Sequence, residues 1–196
     1  AGYLMDISDQ PFIKNYDDAT IKDAGSYNGK VYSINLGRVS YSGIYYNKDM
    51  FTANNVAVPT TWSELVTACE TFSAAGIPCM TAGGKDGWPI FVGAYGLTGA
   101  LYPDQAALVE GLWTGTITWN DAKAIEMWEK MKVYAQNMME AGASGIAGDA
   151  APGRFASGAV AMFPGGTWYA SAIEAAQPTF QWGYIPFPGS DNADDN

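Results

Sequence analysis

The chain has 196 residues, 48% of them hydrophobic, and carries 20 acidic against 10 basic side chains for a net charge of −10. So acidic a chain, with its few Lys and Arg scattered, excludes binding to nucleic-acid phosphates, and the absence of histidine excludes His-based triads and His-containing zinc sites. No run of roughly 18 apolar residues is present that would span a membrane. The 23 glycines, 12 tyrosines and 7 tryptophans suit a ligand groove lined by aromatic rings with polar edges, or else a glycine-rich α/β domain with a large core.

The opening, AGYLMDISDQ, reads as the interior of a longer protein. A turn is expected at Ser8-Asp9-Gln10-Pro11 and a short helix within residues 13–24. Tyr27-Asn28-Gly29-Lys30 is a hairpin turn, because Asn-Gly tolerates positive φ. Two extended runs follow, 31–36 and 39–46, joined at Gly37-Arg38 and rich in β-branched and aromatic residues. From Ser40 to Tyr46 no side chain is charged, so both faces of this strand should be covered. It is expected to carry the chain from one body into another.

Thr61-Trp62-Ser63-Glu64 is a capping box, with Thr61 the cap and Glu64 reaching back. The helix behind it has one apolar stripe, Trp62, Leu65, Val66, Cys69 and Phe72, and Gly76 ends it. Residues 77–81 read as a buried strand, so strand, helix and strand imply a parallel pair with a right-handed crossover. The loop Gly83-Gly84-Lys85-Asp86-Gly87-Trp88 leaves that strand at its carboxyl end, where ligands sit in open α/β sheets. Its glycines lack the spacing of a phosphate loop. Helices are expected over 90–101, over 104–111 and, with the clearest periodicity, over 120–141. The last carries the stripe Ala124, Met127, Trp128, Met131, Tyr134, Ala135 and Met138, read as core. Residues 145–152 read as loop, 159–163 as a short buried strand, 168–176 as a helix capped by Thr167, and 180–187 as a final strand. Residues 190–196 have the composition of a linker. Cys69 and Cys79 are too few for a disulfide framework. They are expected as two buried thiols, with a bridge as the alternative if their Cα atoms come within about 7 Å.

Four segments, taken together, carry a resemblance. They are Tyr46-Asn47-Lys48-Asp49-Met50-Phe51, Pro59-Thr60-Thr61-Trp62-Ser63-Glu64-Leu65, Ala75-Gly76-Ile77-Pro78, and Phe155-x-x-Gly158-x-x-Ala161-Met162 followed by Gly165-Gly166-Thr167-Trp168. In this order and spacing, over residues 27–189, the chain resembles the family-1 carbohydrate-binding extracellular solute-binding proteins of bacterial ABC importers. The resemblance implies an α/β, type II periplasmic-binding-protein fold, here mainly the C-terminal lobe with both hinge crossings. Residues 1–40 would be a remnant of the N-terminal lobe and the first hinge strand, 41–183 the C-terminal lobe, and 184–196 the second hinge segment and linker. It further implies an extracytoplasmic monomer, secreted or lipid-anchored, whose partners are a carbohydrate and the membrane permease of an importer. Neither a cofactor nor a metal is implied. The chain departs from the family's maltose binder at Ser40 and at Gly83 and Lys85, so ligand identity does not carry over.

Sugar binding needs flat aromatic faces for the apolar side of the ring and planar polar groups for paired hydroxyls. The candidates are Trp168 and Trp88 for stacking, Tyr41 and Arg38 on the hinge, Asp86 for hydrogen bonding, and Gly166 for close backbone approach. Each has a plainer alternative: a core tryptophan, an exposed loop aspartate, a structural ion pair for Arg38, a simple turn for Gly166. Trp62, Trp113, Trp119 and Trp128 are assigned to core or surface packing. A glycoside hydrolase would need two carboxylates flanking a cleft. Glu64, Glu70, Glu126, Glu129 and Glu140 all fall on expected helices, mostly on solvent faces, and offer no such pair. A peptide or polyamine binder on the same fold is the remaining alternative.

Overall fold

The computed structural model describes residues 2–35, 40 and 42–196. Arg38 and Tyr41, two of the candidate site residues, lie outside them. The chain divides into two units, Ala1–Val39 and Ser40–Asn196.

The smaller unit holds a 3-10 turn at Pro11–Asn15, helix α1 (Asp18–Gly25) and a hairpin of β1 (Ser26–Tyr27) and β2 (Lys30–Val31). The helix expected over 13–24 is thus split in two. Asp17 starts the second piece by accepting a hydrogen bond from the Thr20 N–H at 2.9 Å, a standard N-cap. Asn28 and Gly29 have φ of 51° and 74°, the two-residue turn whose twist matches its strands. Residues 32–35, expected to extend the strand, pair with nothing as a ladder among the described residues.

The larger unit contains β3 (Gly43–Asn47), α2 (Lys48–Ala53), α3 (Trp62–Ala74), α4 (Phe91–Leu101), α5 (Gln105–Thr114), α6 (Ala122–Val133), α7 (Ala151–Ala156), β4 (Met162–Pro164), α8 (Ala170–Ala175) and β5 (Trp182–Pro186). Strand β3 is the centre of an antiparallel sheet ordered β4-β3-β5. Tyr45 stands opposite Phe163 on one side and Tyr184 on the other. The two segments read as hinge crossings are therefore hydrogen-bonded neighbours. Successive side chains of β3 enter different cores. Ile44 and Tyr46 join the larger one, and Tyr45 joins a second, aromatic one. The strand carries no charge because neither face meets water.

The larger core takes the α3 stripe of Trp62, Leu65, Cys69 and Phe72 together with Met80, Leu97, Met127 and Tyr134. Burying a side chain such as Leu65 or Phe72 completely stabilises the fold by about 2–3 kcal/mol. Thr61 caps α3, but the Glu64 carboxylate reaches one residue further than a capping box requires, to the Thr60 N–H and hydroxyl. Residues 190–196 fold back onto this helix start instead of trailing as a linker. The Ser190 carbonyl accepts from the Trp62 N–H at 2.9 Å, and the Asp191 carboxylate from the Ser63 N–H at 2.7 Å. Both acceptors satisfy donors that a helix N-terminus leaves free.

Several expectations are corrected. Of residues 77–81 only Met80 pairs, as an isolated bridge parallel to Met162 and to Met139. Strand β4, from much later in the chain, occupies the place beside β3, so the predicted parallel pair with its crossover is not formed. Cys69 and Cys79 are joined in a disulfide and are not free thiols. The buried face of α3 brings their Cα atoms to 5.1 Å, and closing this short loop stabilises the fold by about 2–3 kcal/mol. The long helix over 120–141 ends at Val133 and continues as a single π-helical turn, Tyr134–Met138. A π turn carries an extra residue, so the face assigned by a 3.6-residue period no longer holds beyond it. Glu140 is consequently buried, whereas Trp128, on the stripe's edge, is 46% exposed. Helix α7 begins at Ala151, inside the residues 145–152 expected as loop from their glycine- and alanine-rich composition. Proline is compatible with a first helical turn, where its missing N–H costs nothing.

Candidate ligand-binding site

Trp88 and Trp168 come from loops 80 positions apart in the sequence and meet with ring centroids 6.2 Å apart and planes at 45°. Trp88 is 48% exposed and Trp168 is half-buried. Two indoles at this angle make one bent apolar surface, not a sandwich. Asp86 is exposed two residues before Trp88. Gly166 lies directly beneath Trp168: a Cβ there would stand 1.9 Å from the indole Cζ3. Its φ of −79° needs no glycine, so the requirement is steric. Gly166 makes room for the tryptophan, and the close approach proposed from the sequence is to the protein's own ring.

The turn that carries Trp168 is fixed by two tyrosines of the sheet. The Tyr45 hydroxyl donates to the Gly166 carbonyl at 3.0 Å, and the Tyr184 hydroxyl to the Gly165 carbonyl at 3.1 Å. Burial pushes the Tyr45 phenol far above its ordinary value, with the neighbouring Tyr184 adding to the effect. Burial likewise raises Tyr184. Both remain donors at any physiological pH. The Thr167 hydroxyl, expected to cap the following helix, instead accepts from the Ser40 N–H at 3.1 Å, and the Thr167 N–H donates to the Ser40 carbonyl at 3.0 Å. Below the turn lies the aromatic core. Tyr45 packs against Phe163, Phe155, Trp182 and Tyr184 with centroids between 4.6 and 6.5 Å.

The Trp88 loop is held by a second loop, residues 143–149. The Asp86 carboxylate accepts from the Gly148 N–H at 2.6 Å, and the Lys85 N–H donates to the Ile146 carbonyl at 3.0 Å. Backbones pack directly here. A Cβ on Gly83 would lie 2.3 Å from the Gly148 Cα, and one on Gly84 2.7 Å from the Ala143 carbonyl oxygen. Asp149, the next residue, is exposed. Tyr169 links these groups electrostatically. Burial raises its phenol, the neighbouring Trp168 side chain acts oppositely, and the charges of Asp86 and Asp149 reach it. At the base of the second loop, Glu140 and Arg154 pair through both carboxylate oxygens. Burial pushes the Glu140 carboxyl up, and Arg154 more than reverses this, so it lies below its ordinary value of 4.5.

Of the candidates, then, Trp88, Trp168, Asp86 and Gly166 are brought together. Tyr45, Tyr184, Tyr169 and Asp149 were missed. Other concavities lie away from these residues. One of about 330 Å³ is bounded by residues 55–59 and α3, and its walls, Val56, Val58, Pro59 and Ala68 among them, offer no aromatic face. Among the described residues no cluster of acidic or cysteine side chains could hold a metal ion.

Residues 1–194 match the bacterial extracellular solute-binding proteins. The chain belongs to that family. This solute-binding protein is 26% identical over 195 residues to the multiple sugar-binding protein of Streptococcus mutans, covering 96% of the chain and 46% of that relative. It superposes with a TM-score of 0.80 on a protein from Caldanaerobius polysaccharolyticus, solved in a study of xylan utilization, at 25% identity over 95% of the chain and 49% of the other. Against RafE in complex with raffinose the TM-score is 0.72 at 25% identity, covering 97% and 50%; RafE is also known ligand-free from Streptococcus pneumoniae. The solute-binding protein thus has the α/β fold of its periplasmic relatives and spans about half the length of those it matches.

Proposed function

We propose that this solute-binding protein holds an oligosaccharide on the Trp88–Trp168 rim and passes it unaltered to the permease of an ABC importer outside the cytoplasm. The observation that carries the reading is the pair of accessible indoles, backed by a buried aromatic core and edged by carboxylates. Apolar sugar faces stack on the rings, and hydroxyls meet the polar edge. That relatives are named for sugars supports the saccharide over a peptide or polyamine. In the whole protein, β3 and β5 would be the paired hinge strands.

A hydrolase reading has one point in its favour, the two carboxylates Asp86 and Asp149 beside an aromatic rim. A catalytic acid, however, is kept protonated by apolar enclosure, and both aspartates are exposed. The test is to titrate the chain with xylotriose, raffinose and chitotriose while following the tryptophan indole N–H resonances. With one lobe's contacts only, binding is expected in the millimolar range, with the Trp88 and Trp168 signals moving. W168A should weaken it roughly 30-fold, the cost of about 2 kcal/mol for truncating an aromatic anchor. Shortened products would instead establish hydrolysis, and an unmoved Trp168 signal with every sugar would end the saccharide reading.

A further inference from the structure

The two loops joined at the Asp86–Gly148 bond each carry an exposed carboxylate, Asp86 and Asp149, and the two differ in what they are bonded to. Asp86 is already committed: one of its oxygens accepts the Gly148 N–H at 2.6 Å. Because Gly148 precedes Asp149, that bond also sets Asp149 next to the Trp88 loop. A Cβ on Gly148 would lie 3.3 Å from the Pro89 ring, so the second loop presses on the residue that follows Trp88. The Asp149 side chain is exposed, and among the described residues it has no hydrogen-bond or ion-pair partner. Lys85 is the one basic residue within 83–89 and 143–150, and it forms no ion pair with either aspartate among the described residues.

Resting on the saccharide reading, we infer a division of labour: Asp149 is the carboxylate that accepts sugar hydroxyls at the Trp88–Trp168 rim, and Asp86 is a positioning residue that locks the Trp88 loop to the loop bearing Asp149. An ionised carboxylate with both oxygens free can take two hydroxyls in short, charge-assisted hydrogen bonds, roughly twice as strong as neutral ones. A carboxylate that caps a backbone N–H contributes by holding geometry, since a displaced platform loses the alignment on which stacking depends. The glycines at 83 and 84 serve the same lock, because a Cβ on either would collide with the backbone of the second loop.

The experiment compares four variants of the full chain, D149A, D149N, D86A and D86N, using xylotriose, raffinose and chitotriose as probes and the indole N–H spectrum as a second readout. D149A should weaken the sugar that the parent chain binds at least about tenfold, with the ligand-free Trp88 resonance unmoved. D149N should fall between, keeping an acceptor but losing the charge. D86A should weaken binding and also shift Trp88 in the ligand-free chain. D86N retains an acceptor for the Gly148 N–H and should recover most of both effects. Parent-like affinity in D149A would overturn the assignment while leaving the saccharide reading intact. So would equal losses in D86A and D86N with Trp88 unmoved, which would make Asp86 the sugar contact. If no probe moves Trp88 or Trp168 in the parent chain, the saccharide reading falls and takes the assignment with it.

Discussion

Two pairs of exposed tryptophans occur in the larger unit, and their ring geometry is nearly the same. Trp88 and Trp168 stand 6.2 Å apart at 45°, and Trp119 and Trp128 stand 6.0 Å apart at 57°. Three of these four rings are 46–48% exposed and Trp168 is half-buried. What separates the pairs is their support. Trp168 is seated on Gly166, its ring packs against Tyr169, and its turn is pinned by Tyr45 and Tyr184. Trp88 is carried on a loop clamped by Asp86 to Gly148. Trp119 and Trp128 sit at the entry and on the outer side of α6. Asp121, at the start of α6, is engaged by the residue before Trp119, its carboxylate accepting from the Thr118 N–H and hydroxyl. Exposure and ring spacing therefore do not distinguish the two pairs. On the proposed reading, the discriminating feature is a ring held from behind.

The largest test of that distinction removes the support at a distance. Glu140 and Arg154 bracket the loop 141–153, and their pair closes it at the base. R154L would leave the buried Glu140 carboxylate unpaired. The expected loss is about 3 kcal/mol, at the low end for such a pair because water reaches Arg154, or roughly 6–12 °C in Tm by calorimetry. Binding at the Trp88–Trp168 rim should weaken with it, while the Trp119 and Trp128 indole signals stay in place. The pH dependence has a definite sign. The folded Glu140 pKa lies below its unfolded value of 4.5, so the pair's contribution is fully present above pH 4.5 and disappears as pH falls through the folded pKa. In R154L that acid-side decline should shrink, and an unchanged decline would mean that other carboxylates cause it.

Parts of this contrast can be read in the sequence and parts cannot. Local chemistry is legible: Asn28-Gly29 gives a hairpin, Thr61 caps α3, and residues 43–46 of the uncharged run are covered on both faces. Trp88 and Trp168 are legible as well, because each follows a glycine turn and the second lies in a segment resembling a sugar-binding family. Relations between distant segments are not. Nothing local says that Gly148 will meet Asp86, that β4 will displace residues 77–81 from the side of β3, or that Cys69 will reach Cys79. Nor does any local signal single out Asp149 within its glycine- and alanine-rich loop, or the hydroxyls of Tyr45 and Tyr184 among twelve tyrosines. Trp128 was misplaced for a different reason: a periodic stripe gives a face but not its edges, and one residue's rotation from Met127 is enough to bring a ring to the surface.

A smaller change takes away one of the pins under Trp168. Y45F deletes the donor to the Gly166 carbonyl and leaves the ring packing in place, so stability should fall by about 1 kcal/mol, the net worth of a buried hydrogen bond. Y184F should do the same at Gly165. If these bonds hold the platform, each variant should also weaken sugar binding a few-fold and broaden or shift the Trp168 indole signal. A stability loss with unaltered Trp168 and unaltered affinity would reduce both tyrosines to ordinary core residues.

The smallest expected effect is the most informative about the comparison itself. W128A removes a ring that is 46% exposed and buries nothing polar by its loss, so its cost to stability should stay within about 1 kcal/mol. Against xylotriose, raffinose and chitotriose it should bind as the parent chain does, because neither Trp119 nor Trp128 is carried on a turn pinned as the one beneath Trp168 is. Were W128A to reduce saccharide affinity as W168A does, ring exposure alone would suffice for binding, and the support beneath Trp168 would lose its explanatory role. The two variants must be compared in one spectrum. The indole N–H signal of Trp119 reports on one surface and that of Trp88 on the other, so a sugar that moves only the second separates a supported platform from an unsupported pair within one molecule.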